Sequence, residues 1–214
     1  MAALADQRAA LRRHIGTWGA WSFGFAYAPS DQARAAAAAI EAAGYGCVWY
    51  PETLDSREAF VNAAVLAALR PPMLRLAAEC SLGAHPYLVT VEHTALARAE
   101  LGPDPLLLVE HKVVIDEDPE SARRRAREEI AWYLQAENYV RNLEWLGFAP
   151  EEIADGGSDR LVDALVFHGS AEQVAERLRE HVAAGADHVA VHPCRDERDP
   201  MGVATLQALA PLLR

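Results

Sequence analysis

Cysteine is scarce in this 214-residue chain: Cys47, Cys80 and Cys194 are an odd number with no C-x-x-C spacing. That argues against a disulfide framework or a thiolate zinc site and fits a reducing cytoplasm. Positive charge is also short. Twenty Lys and Arg stand against 31 Asp and Glu, a formal net charge of −11, which repels phosphate backbones and anionic membranes, so no nucleic-acid partner is expected. The one dense basic run, Arg123-Arg124-Arg125-Ala126-Arg127, passes directly into Glu128-Glu129 and reads as a solvated, self-paired helix face. No apolar stretch reaches membrane-spanning length, and residues 1–16 carry Asp6, Arg8, Arg12 and Arg13 where a signal sequence needs an apolar core. Neither export nor insertion is expected. No low-complexity linker divides the chain, so residues 1–214 read as a single domain.

What is present is a repeated order of elements. Trp21 to Ala26 alternates large and small residues as a strand does, and Pro29-Ser30-Asp31 supplies a turn and a cap. An alanine-rich helix over 31–43 ends at Gly44, and Gly46-Cys47-Val48-Trp49-Tyr50 is a strand closed by Pro51. Residues 77–87 and 183–193 repeat the sequence helix, glycine, short strand, proline. Leu106 to Ile115 is a further strand; Asp118-Pro119 caps a helix reaching Gln135, and Glu137 to Leu146 is another, stopped by Gly147. Ser158 caps a short helix. Ser170-Ala171-Glu172-Gln173 has capping-box spacing and opens a helix through Ala184; the last strand and a helix over 203–213 follow. Helices feeding strands through short glycine-containing links predict a parallel α/β architecture.

In parallel α/β proteins reactive groups project from the carboxyl ends of the strands. Those ends carry Glu52, His85, Tyr87, His192 and Cys194. Glu52 reads either as a general acid or heterocycle anchor, or as a loop or capping carboxylate. His85 and His192 each precede a proline, which raises a two-histidine metal site, but no H-x-H or H-E-x-x-H pattern accompanies them, so no metal is expected. Cys194 stands near His192, which could suggest a nucleophile, but lone buried cysteines are common, so it reads as a buried cysteine.

Several strings in order resemble one family. Trp21-Ser22-Phe23-Gly24-Phe25, Gly44 to Glu52 and Arg57 to Ala64 look like the opening of a luciferase-like, coenzyme F420-dependent oxidoreductase. Gly83-Ala84-His85-Pro86-Tyr87, Glu92-His93-Thr94, Asn138 to Leu143, Leu146-Gly147-Phe148 and Asp155 to Asp163 look like its second half. The resemblance covers nearly the whole chain and implies a TIM-type (β/α) barrel. It also implies that a segment carrying the family's third and fourth strands is missing near residue 64. Val65 to Leu69 is then either the remainder of the second helix or the family's fifth strand. About six strands remain, fewer than the eight that close such a barrel, so the sheet should be open or completed by a partner.

The resemblance further implies hydride transfer between coenzyme F420, or alternatively FMN, and a small organic substrate. Phe23, Glu52, Thr53, Arg70, His85 and Tyr87 would face the cofactor, with Arg70 meeting phosphate. Thr53 stands where many relatives have histidine, so an acid role falls on Glu52 or His85. A homodimer is expected from the open edge. The alternative is an inactive shortened paralogue kept for subunit association.

Overall fold

The computed structural model describes residues 2–50 and 71–214. Its described residues hold six parallel strands in one open sheet: β1 (Trp18–Trp21), β2 (Val48–Trp49), β3 (Gly83–Ala84), β4 (Leu106–Ile115), β5 (Val166–Gly169) and β6 (His188–Pro193), in the order β2-β1-β6-β4-β3. β5 pairs with the carboxyl half of β4. The fold is therefore the expected incomplete TIM-type (β/α) arrangement with an open sheet. No helix among the described residues is long and apolar enough to cross a membrane.

β4 organises the sheet. Its ten residues pair with β6 from Leu108 to Val113, while β3 meets its start and β5 its end. Because side chains alternate along a strand, Leu107, Val109 and Val113 face one way and Glu110 and Lys112 the other. The first face is mainly apolar, with His111 set into it against His181 and Phe167. Helices Val91–Leu101, Pro119–Ile130 and Ala171–Ala183 cover it, and Val203–Leu213 packs on β6. Leu107, Val109, Val189, Val191, Leu178 and Leu206 there are wholly buried, and each buried aliphatic side chain contributes about 1.5–3 kcal/mol.

Most helix boundaries follow the sequence. Ser158 and Ser170 accept at their hydroxyls from Leu161 N–H and Gln173 N–H, and Gly44 takes φ +96°, a left-handed conformation that favours glycine. Three boundaries differ. The first strand is Trp18–Trp21, not Trp21 to Ala26; beyond it Ser22 Oγ accepts from Gly24 N–H at 3.1 Å, and Gly24–Tyr27 forms one helical turn. Pairing of Trp18 with Val189 fixes the earlier register, which alternation alone could not reveal. The helix from Pro119 ends at Ile130, and Tyr133–Gln135 is a separate 3₁₀ turn that brings Tyr133 beneath the sheet's carboxyl edge. Val166–Gly169, which follows a helix without a break, is a strand that the sequence pattern hid. It makes up the six without Val65 to Leu69, which lie outside the described residues.

Candidate functional site

At the inner face of the sheet the alternation places a set of polar side chains where a barrel interior is normally aliphatic. Lys112 is paired across from His192, Trp21 across from Trp49, and Leu108 across from His188, so all lie on one side. Glu110, two residues before Lys112, shares that side. Glu110 and Lys112 are wholly inaccessible to solvent, and His192 is 1% exposed.

Burying these charges is tolerated because each has several partners. His192 Nδ1 lies 2.5 Å from Glu110 Oε1 and 2.9 Å from Lys112 Nζ. An ammonium has no lone pair, and a carboxylate has no hydrogen, so the Nδ1 hydrogen must point to Glu110. Leu88 N–H donates to the other carboxylate oxygen at 3.0 Å. Leu88 adopts φ +53° to do so, a left-handed backbone that a non-glycine residue holds at a cost of about 1–2 kcal/mol. Lys112 Nζ donates to Tyr87 Oη (3.0 Å) and Glu129 Oε1 (3.3 Å) and lies 3.6 Å from Glu110 Oε1. The rings of Trp21, Tyr87 and Tyr133 surround the ammonium at 5.1–5.9 Å.

The electrostatics follow from these contacts. Burial pushes the Glu110 carboxyl up, but the Lys112 charge and the bonds from His192 and Leu88 outweigh it and hold the carboxyl at about 2. Burial pushes Lys112 down; Glu110, Tyr133 and Glu129 more than offset this, raising the ammonium to about 12. Burial and then the Lys112 charge lower His192 to about 4, so its imidazole is neutral. The site therefore keeps a fixed carboxylate–ammonium pair and an uncharged histidine near neutral pH.

Above this network, at the carboxyl ends of β1 and β6, two clefts meet at the Phe23–Arg195 pair, whose guanidinium lies 5.2 Å from the ring centroid. One, of about 520 Å³, is lined by Phe23, Arg125, Glu128, Glu129, Trp132, Tyr133 and Arg195. The other, of about 510 Å³, runs past Gly24, Tyr27, Gln32 and Met201. Trp132 and Tyr27 are exposed at their rims.

Of the residues singled out in the sequence, Phe23 lines both clefts. Tyr87 lies beneath them, bonded to Lys112 and Tyr133. His85 lines neither: its ring stacks on Trp49 at 4.8 Å, and its Nδ1–H donates to Leu108 O at 2.6 Å. Burial lowers its pKa, leaving it neutral. Glu52, Thr53 and Arg70 lie outside the described residues. No group of three or more His, Cys, Asp or Glu among the described residues can hold a metal ion, and Nδ1 of His192 is committed to Glu110. Cys194 is buried, and burial raises its thiol well above the usual range, in keeping with an inert side chain. The residues that pattern reading passed over are Glu110, Lys112, Glu129, Tyr133 and Arg195. The signal for the first two is Glu-x-Lys inside an apolar strand: the spacing puts both charges on one face, and burial then forces them to pair.

The model of the luciferase-like monooxygenase family matches residues 65–188, more than half of the chain. The chain belongs to the luciferase-like monooxygenase family. This luciferase-like chain is similar to the structure of the coenzyme F420-dependent tetrahydromethanopterin reductase from Methanopyrus kandleri, with TM-score 0.54 and 18% identity over 69% of this chain and 50% of that one. Weaker likenesses are an F420-dependent secondary alcohol dehydrogenase (TM-score 0.47, 12% identity, 67% and 46% covered) and an EDTA monooxygenase from Chelativorans sp. BNC1 (0.49, 15%, 70% and 43%). At these identities the likeness concerns the fold. The chain spans about half the length of the solved structures that it matches. No curated protein sequence matches it.

Proposed function

We propose that this luciferase-like chain is an oxidoreductase that binds coenzyme F420, or alternatively FMN, in the cleft between Phe23, Trp132, Tyr133 and Arg195, and acts on a small organic molecule. The observation that carries this reading is the position of that cleft. It opens at the carboxyl ends of β1 and β6, directly over a buried and fully paired Glu110–Lys112–His192 network. Its volume falls within the roughly 300–1,000 Å³ of small-molecule sites. The rings of Phe23 and Trp132 and the guanidiniums of Arg125 and Arg195 fit a flat heteroaromatic ring with an anionic tail. When bound, such a cofactor supplies the hydride chemistry.

The chain's own contribution is orientation and electrostatics. Phe23 and Tyr133 form the wall, Arg195 and Arg125 meet negative charge, and Tyr87 braces Tyr133 from beneath. His85, with its ring stacked on Trp49 and its Nδ1–H committed to Leu108 O, lies outside this cleft and keeps only the Nε2 lone pair, so the acid role does not fall on it. Glu52 stays the proposed acid, with Thr53 proposed to face the cofactor and Arg70 to meet its phosphate. The proposal extends to a single domain over 1–214, shortened near residue 64, in keeping with its matching about half of the solved structure's length. The open sheet supports a homodimer, and free Cys47 and Cys194 suit a cytoplasmic setting. Titration of the purified chain with deazaflavin and with FMN, followed by fluorescence, tests it. Saturable quenching with one of them at micromolar protein is expected; none with either overturns the reading in favour of a subunit-association role.

A further inference from the structure

The hydroxyl chain running from Lys112 toward the cleft has a direction. Lys112 can only donate, and it donates to Tyr87 Oη at 3.0 Å. Tyr87 Oη lies 2.8 Å from Tyr133 Oη, and Tyr87 has no other hydroxyl partner among the described residues. Two arrangements are possible. If Tyr133 donated to Tyr87, the Tyr87 hydrogen would be stranded in a residue only 4% exposed, a loss of about 1–3 kcal/mol. If Tyr87 donates to Tyr133, both oxygens are satisfied and the hydrogen left over is that of Tyr133, which lines the cleft. The second arrangement is the stable one. Burial raises both phenols, so each keeps its proton.

From this we infer that Tyr133 is the site's hydrogen-bond donor to a ligand oxygen that carries or gains negative charge, such as a carbonyl oxygen being reduced or a phenolate, with Lys112 polarising it through Tyr87. A cation at the head of a hydrogen-bonded chain strengthens each donor along it. The chain is rigid as well, because the Tyr139 ring stands edge-on to Tyr133 at 5.1 Å and the Lys112 ammonium lies 5.3 Å from the Tyr133 ring centroid. Among the described residues the Tyr133 hydroxyl bonds to Tyr87 and not to neighbouring Glu129, whose oxygens accept from Lys112 and from the Arg195 backbone N–H. The inference rests on the oxidoreductase reading for what the ligand oxygen does in turnover; the donor itself is a property of this chain alone.

The probe is 4-nitrophenol, whose anion absorbs in the visible, added below its own pKa. The wild-type chain should bind it saturably as the phenolate, with growing anion absorbance. Tyr133→Phe should bind the anion about tenfold more weakly, the equivalent of one charge-assisted hydrogen bond, with an unchanged near-ultraviolet circular dichroism spectrum. Tyr87→Phe, which leaves Tyr133 in place but cuts it from Lys112, should fall between the two, and it carries the test if Tyr133→Phe does not fold. No saturable phenolate signal in the wild type, or equal affinities in wild type and variants, overturns the inference. Deazaflavin and FMN titrated into the same samples separate the two claims: failure of both cofactors with phenolate binding intact overturns the oxidoreductase reading alone.

Discussion

His192 Nδ1 lies within hydrogen-bond distance of both Glu110 Oε1 (2.5 Å) and Lys112 Nζ (2.9 Å), and only the carboxylate can accept its hydrogen. The pair fixes the imidazole tautomer and leaves Lys112 to serve Tyr87 and Glu129.

Breaking this arrangement from one side strands a charge. Glu110→Gln and Lys112→Met should each destabilise the fold by about 3–5 kcal/mol, the cost of an uncompensated buried ion. The double variant should recover a large part of that. Urea unfolding of the four proteins checks it, and additive losses would show that the two charges are not coupled.

Acid should weaken the fold in a defined window. Burial lowers His181, His188 and His192 to about 4, below the usual 6.5 that each regains on unfolding. The unfolded chain therefore binds protons that the folded one refuses, and stability present above pH ~6.5 is lost as the pH falls toward 4. Each histidine contributes a slope of about 1.4 kcal/mol per pH unit there. Below the usual carboxylate pKa, Glu110 adds to the loss, since its folded value is near 2. Urea midpoints at a series of pH values measure this; a flat profile between pH 7 and 5 would contradict the buried neutral imidazoles.

Gly19 sits where β1 passes under His188. A Cβ there would lie 2.4 Å from His188 Nε2 and 2.9 Å from Cys47 Sγ, and that imidazole is held by Gly16 O and by Trp49 Nε1–H. Gly19→Ala should cost about 1–3 kcal/mol through overpacking, read as a lowered thermal midpoint.

The helix caps at Ser158 and Ser170 and strand β4 were legible in the sequence because capping and hydrophobic runs act locally. Phe23 was singled out through resemblance, and it lines both clefts. Tyr133 was not, because its placement depends on a helix ending at Ile130 and on a 3₁₀ turn whose stability comes from tertiary contacts with Tyr87 and Tyr139. Glu110 and Lys112 were visible as residues but not as a pair, since their burial depends on β6 supplying His192 from 80 positions away. β5 escaped notice because four residues continuous with a helix carry no periodicity of their own.

Arg195 and Phe23 offer the most direct test of where the cofactor binds. Arg195 is largely exposed and bridges the two clefts, so Arg195→Ala should leave the thermal midpoint unchanged while removing a cation from the site. Binding isotherms of coenzyme F420 and FMN, measured side by side on wild type and Arg195→Ala, decide the matter. The account predicts saturable binding of one cofactor to the wild type and about tenfold weaker binding to the variant, as for loss of one charged contact. Equal affinities in the two proteins, or no binding to the wild type, would contradict it.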